Sequence, residues 1–176
     1  MKKTLLLAGL FSAAALSFSS CSSDDNGDSV NNENMIAGTY NLSEVNTEDT
    51  TDFNLDGTQS ENQMNESDCY DGSKITLNAD GTLTYYNNYV LVNTQTGSDT
   101  CASETYAGTW EVNTQAGSTV VIDATYVLPN EDEVAVQLTK VGNKLTRYVL
   151  FGQYPDRNTS DAAVYTTGSI EYVFVK

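Results

Sequence analysis

The amino-acid sequence predicts an all-β protein, an eight-stranded antiparallel up-and-down barrel over residues 36–176. Three observations carry this. After residue 35, Thr, Val, Tyr and Leu alternate with polar residues, which is the two-residue period of a half-buried strand. Gly, Asn and Asp separate these runs at hairpin spacing. No stretch places apolar residues at helical period.

In chain order the strands read as 37–45, 73–79, 82–93, 105–113, 118–127, 133–141, 144–152 and 168–175. The alternation is cleanest at Ile75 and Leu77, at Val134, Val136 and Leu138, and at Ile170, Tyr172 and Phe174, each set sharing one face. Ala79, Asp80 and Gly81 make a tight turn between the second and third strands; Gly142 and Asn143 make another between the sixth and seventh. In a meander, successive connections alternate ends. The short turns near Asp80, Gln115 and Gly142 therefore gather at one end, and the long segments 46–72, 94–104 and 153–167 at the other. Eight strands enclose just enough room for side chains or one small ligand.

The chain begins differently. Lys2 and Lys3 precede the apolar run Leu5 to Phe11, and small residues lead to Cys21, the pattern of a secretory signal peptide over residues 1–20. Phe18, Ser19, Ser20 and Cys21 resemble the lipobox of bacterial lipoproteins, with Phe where Leu is commoner. The resemblance implies that Cys21 is lipidated and becomes the N-terminus. Ser22, Ser23, Asp24 and Asp25 are similar to the serine-and-acid tag of lipoproteins exported to the outer face of the Bacteroidetes outer membrane. It implies a protein held on the cell surface by its lipid alone, since two or three acyl chains anchor stably. Residues 21–35 are almost devoid of apolar side chains and read as a flexible tether.

Charge narrows the partners. Removing residues 1–20 takes away Lys2 and Lys3, leaving six basic against twenty-four acidic residues, a net charge of −18. Such a protein repels nucleic acid. Cations, neutral sugars and small apolar molecules remain as expected partners. With Cys21 lipidated, Cys69 and Cys101 are an even pair in an oxidising compartment, and a disulfide is expected between them. Both fall in segments at the same end of the meander.

Chemistry is limited by the absence of histidine, which removes Ser-His-Asp catalysis and histidine-based metal sites. No spacing singles out an acid–base pair among the many carboxylates, so a non-enzymatic role is expected. Asp52, Asn54, Asp56, Thr58 and Ser60 place oxygens at alternate positions around Gly57, the arrangement of a calcium loop. Gln63 stands where a bidentate Glu is expected, so Glu66, Glu61 or Asp68 would complete the set. The same residues also suit an Asx-rich loop that caps its own backbone. Tyr85, Tyr86, Tyr89, Tyr106, Trp110, Tyr126, Tyr148, Tyr165 and Tyr172 offer either a pocket lining or cross-strand packing. Trp110, beside Gly108, reads as a core residue.

Ala37-Gly38-Thr39-Tyr40 is echoed by Ala107-Gly108-Thr109-Trp110, and Asp80-Gly81-Thr82 forms a hairpin between them. Together these resemble the lipocalin-like lipoproteins of the Bacteroidetes over most of residues 36–176. The resemblance implies a calycin-type barrel that binds a small apolar or amphipathic ligand in its mouth. A calcium-stabilised module for adhesion or glycan binding is the alternative.

Overall fold

The structure, a computed structural model, describes residues 35–176. The predicted signal peptide, Cys21 and the tether through residue 34 lie outside the described residues. Nine strands are present: β1 Gly38–Thr51, β2 Ser60–Asn62, β3 Lys74–Leu77, β4 Thr82–Asn93, β5 Ser98–Ala116, β6 Thr119–Val127, β7 Glu133–Val141, β8 Lys144–Arg157 and β9 Ala163–Val175. All pairs are antiparallel. The order runs β1-β3-β4-β5-β6-β7-β8-β9, and β1 pairs with β9 to close an eight-stranded barrel. The short β2 is the additional strand, lying beside β1 at Asn46 and Thr51, past the point where β3 has ended.

The short-turn end is held by local chemistry. Between β3 and β4, Gly81 takes φ +79°, a conformation glycine adopts without a Cβ penalty. Asp80 accepts from the Thr82 amide at 3.0 Å and hydroxyl at 2.6 Å, and these bonds hold its carboxyl below the usual range. Trp110 then clamps the turn, its amide donating to Gly81 at 2.8 Å and its indole N–H to the Asn78 carbonyl at 2.9 Å. At 5% exposure Trp110 is a core residue, as its setting beside Gly108 suggests.

Two of the expected long connections prove to be strand. Segment 94–104 is mostly β5, leaving only 94–97 as a turn, and 153–167 is mostly β8 and β9 around 158–162. Cys101 accordingly lies on a strand, opposite Val90, rather than in a loop. The β5 extension carries few apolar residues, whereas those of β8 and β9 bring Tyr154 and Ala163 into the second core cluster without a regular alternation to announce them. Pro155 sits within β8, in a stretch with no β7 partner, so its missing N–H costs no ladder bond on that side.

The interior has two halves. Tyr40, Leu77, Ile122, Leu138, Leu145 and Phe174 fill the short-turn end with side chains. Val45, Phe53, Tyr70, Val90, Tyr154 and Ile170 form a second cluster toward the far end. Between β7 and β8 the ladder stops at Leu138 and Arg147, and the strands part. A bulge between Val149 and Gly152 then turns Leu150 and Phe151 outward, Phe151 to 84% exposure. The described chain enters at the filled end, where Ile36 is buried and the Lys176 ammonium donates to the Ala37 carbonyl at 2.6 Å.

Candidate functional site

Where the two core clusters meet, the barrel retains a cavity of about 240 Å³. Its walls come from four elements. β4 contributes Tyr85, Asn87, Tyr89 and Val90; β8 contributes Arg147, Gln153 and Pro155; β9 contributes Tyr165 and Tyr172. Tyr70, from the second of two single-turn 3-10 helices at Gln63–Asn65 and Asp68–Tyr70, covers one side. The space beneath, bounded by Ile75, Leu83, Tyr126, Val136 and Leu138, shrinks to about 10 Å³. A ligand therefore has the far half of the barrel only. Ligand pockets commonly run to roughly 300–1,000 Å³, so this cavity suits a molecule near the small end of that range.

Strand pairing explains why the cavity exists. β4 is paired with β3 only up to Tyr86; at Asn88 the Ser73 hydroxyl takes over, accepting from its amide at 2.8 Å and donating to its carbonyl at 3.2 Å, and beyond that no strand among the described residues lies on this side. The Tyr165 hydroxyl takes the place of the missing strand: it accepts from the Val92 amide at 3.0 Å and donates to the Val90 carbonyl at 3.2 Å. This fixes β9 against β4 across the barrel and sets the cavity's width. Tyr85 donates to the Asn87 carbonyl oxygen at 2.7 Å, orienting that amide.

The electrostatics follow from burial. Desolvation pushes the Tyr70, Tyr85 and Tyr172 hydroxyls above their ordinary range, with Arg147 opposing the shift at Tyr85 and Tyr172. All three are neutral hydroxyls at any physiological pH. The Arg147 guanidinium stands 5.6 Å from the Tyr172 ring centroid, a cation–π geometry. Among the described residues the one ion pair is Arg157 with Asp99, at 3.0 Å, so Arg147 has no carboxylate partner there. Polar hydroxyls, flat aromatic faces and one cation make a surface for stacking and hydrogen bonding.

Of the aromatic residues singled out from sequence, Tyr85, Tyr89, Tyr165 and Tyr172 reach this cavity. Tyr106 and Tyr126 instead stack on one another in the filled half with centroids 5.1 Å apart, and Tyr148 faces outward. Arg147, Tyr70, Asn87, Gln153 and Pro155 are wall residues that sequence reasoning missed. One signal was present for Arg147, since it shares strand parity with Leu145 and Val149 and thus occupies an inward position in an apolar alternation.

Cys69 and Cys101 are bonded, with their Cα atoms 5.0 Å apart, which ties the helix carrying Tyr70 to β5. The loop offered as a calcium site is gathered into one turn, and its oxygens meet its own backbone. Asp52 accepts from the Gly57 amide at 3.1 Å, Asn54 from Asp56 at 3.0 Å, and Asp56 from Thr58 at 2.7 Å. The Ser60 hydroxyl bonds Asn62, donating to its carbonyl and accepting from its amide. Glu66 is buried and accepts from the Phe53 amide at 2.8 Å. Arg157 locks the loop from outside: its Nε donates to the Phe53 carbonyl at 2.9 Å, and its guanidinium lies 4.2 Å from the Phe53 ring centroid. Among the described residues, no three His, Cys, Asp or Glu side chains come together as a metal-holding group.

Comparison with known proteins adds no assignment, for no family model, curated protein or solved structure matches the chain.

Proposed function

We propose that this protein is a lipid-anchored binding module of lipocalin-like architecture on the bacterial outer membrane, holding one small amphipathic molecule without chemical change. The observation that carries the reading is the tyrosine-walled cavity, with Tyr70 and Tyr172 hydroxyls that have no protein partner among the described residues. Hydroxyls that open onto a concave recess beside aromatic faces give a small amphipathic molecule both polar partners and apolar contact. The filled lower half argues against a long apolar ligand. A purely adhesive role would not require the cavity.

Attachment through Cys21 is consistent with this use. The described chain enters at the filled end, beside Lys140, Lys144 and Lys176, and the cavity lies in the opposite half. A tether at that end would direct the cavity away from the membrane. Metabolic labelling with an alkyne fatty acid should tag the wild type and leave Cys21→Ser unlabelled; equal label on both would overturn the anchor.

Ligand binding is tested by native mass spectrometry of protein purified from its own membrane. A bound species of small mass is expected on the wild type and should be absent from Gln153→Trp, whose indole would occupy the cavity. Melting within a few degrees of wild type would show that Gln153→Trp still folds. A species retained by Gln153→Trp would place the ligand elsewhere, and a wild type without any would argue against the reading.

A further inference from the structure

We infer that Arg147 is an anion-recognition residue, and that the ligand carries a carboxylate on a flat, single-ring body. The inference rests on the cavity being the binding site and deepens that reading by naming the ligand's chemistry.

The disposition of the cations leads to it. Six lysines and arginines fall in residues 35–176. Arg157 is committed to Asp99 and Phe53, Lys140 donates to the Gly142 carbonyl, and Lys176 to that of Ala37. Lys74 and Lys144 are exposed on the outside. Arg147 differs from all of these. It lies between Leu145, which is fully buried, and Val149, which packs on the second core cluster, so its side chain is carried inward to the cavity wall. It is half-buried, and its guanidinium donates no hydrogen bond to protein among the described residues. Its nitrogens stay open to the cavity, where a bound anion would find charged donors that no protein group among the described residues uses.

The remaining polar groups point to the same class of ligand. A guanidinium has five N–H donors and no acceptor. The Tyr70 and Tyr172 hydroxyls are neutral and available to donate. Asn87, also on the wall, has its carbonyl oxygen occupied in accepting from Tyr85. Among the described residues Arg147 is the one charged group on the cavity wall, and a carboxylate with its two acceptor oxygens is its complement. The planar fork of arginine matches a carboxylate with two parallel bonds. The Tyr172 ring behind it, together with Tyr85 and Tyr165, supplies flat apolar faces for a ring attached to that group. A volume near 240 Å³ limits the body to about one ring.

Benzoate and benzamide make a matched pair of probes, equal in shape and differing by one charge. Saturation-transfer NMR and calorimetry on the purified protein should show benzoate binding about tenfold tighter or more, as charge-assisted bonds exceed neutral ones. Arg147→Gln should bring benzoate down to the level of benzamide and leave benzamide unchanged, and Arg147→Lys should keep part of the preference. Equal binding of the two probes to the wild type, or a preference that survives Arg147→Gln, would overturn the role of Arg147 while leaving the cavity reading intact. Binding of neither would overturn both. The wild-type comparison decides even if Arg147→Gln fails to fold.

Discussion

Gly108→Ala should destabilise the barrel by roughly 3 kcal/mol or more, lowering the urea midpoint followed by the fluorescence of the single tryptophan, Trp110. Gly108 is flanked by β4 at Leu83 and by β6 at Tyr126. A Cβ added there would overlap the Thr125 carbonyl oxygen and lie 2.7 Å from Tyr126 Cα. These are backbone atoms, which cannot swing aside like the end of a side chain. Moving β6 would disturb its pairing with β7, which runs unbroken from Thr119 to Val127. Gly117→Ala is the control, since a Cβ there meets nothing within 4 Å and its effect comes from φ +60° alone, about 1 kcal/mol. Equal midpoints for the two variants would show that β5 and β6 can separate without cost.

The same close approach illustrates what sequence can reveal. The repeat of Gly-Thr-aromatic at Gly38 and Gly108 marks two places where backbone conformation or proximity excludes a side chain, yet nothing local says which strand comes near. Strands β4 and β7 were legible to the residue because their alternation is bounded at both ends by Gly, Asn or Asp. Strands β5, β8 and β9 were read short. The outer end of β5 begins Ser98-Asp99-Thr100, which reads as loop, and those of β8 and β9 interrupt any alternation with Pro155 and the turn at 158–162, so strand pairing there comes from the partner rather than from local preference. The three-residue β2 was missed for a related reason: it is held by side chains around it, including Gln63 and Thr51 at 2.8 Å, and carries no pattern of its own.

The site was less legible than the fold. Tyrosines at Tyr85, Tyr165 and Tyr172 alternate like any sheet residue, and their convergence depends on where the β3–β4 and β7–β8 ladders end. Those ends, at Tyr86 and at Arg147, fall within strands β4 and β8, which run on past them. The Asx-rich loop shows the opposite limit. Its spacing of oxygens is clear in sequence, but spacing alone does not say whether those oxygens meet an ion or the loop's own amides. In the structure the loop's amides are met by its own side chains, and Glu66, thirteen positions along, accepts from the Phe53 amide.

Loss of the disulfide is the second change expected to have a large effect. The bond joins residues 32 apart. On the chain-entropy relation a loop of that size restricts the unfolded state by about 3.7 kcal/mol at 25 °C. For a domain of this size the Cys69→Ala, Cys101→Ala double variant should therefore melt on the order of 10 °C lower, as should the wild type in reductant. The consequence reaches the cavity, because Tyr70 follows Cys69 directly in the same single-turn helix and forms one wall. Freed from β5, that helix keeps the packing of Tyr70 and a few hydrogen bonds, such as Cys69 N–H to the Ser67 hydroxyl at 3.2 Å and Asp71 N–H to the Asp68 carbonyl at 3.1 Å. Ligand affinity should thus fall together with stability, and calorimetric scans paired with probe titration in the presence and absence of reductant measure both. A melting temperature unmoved by reductant would mean that the packing of Tyr70 and Phe53, rather than the covalent link, holds this end of the barrel closed.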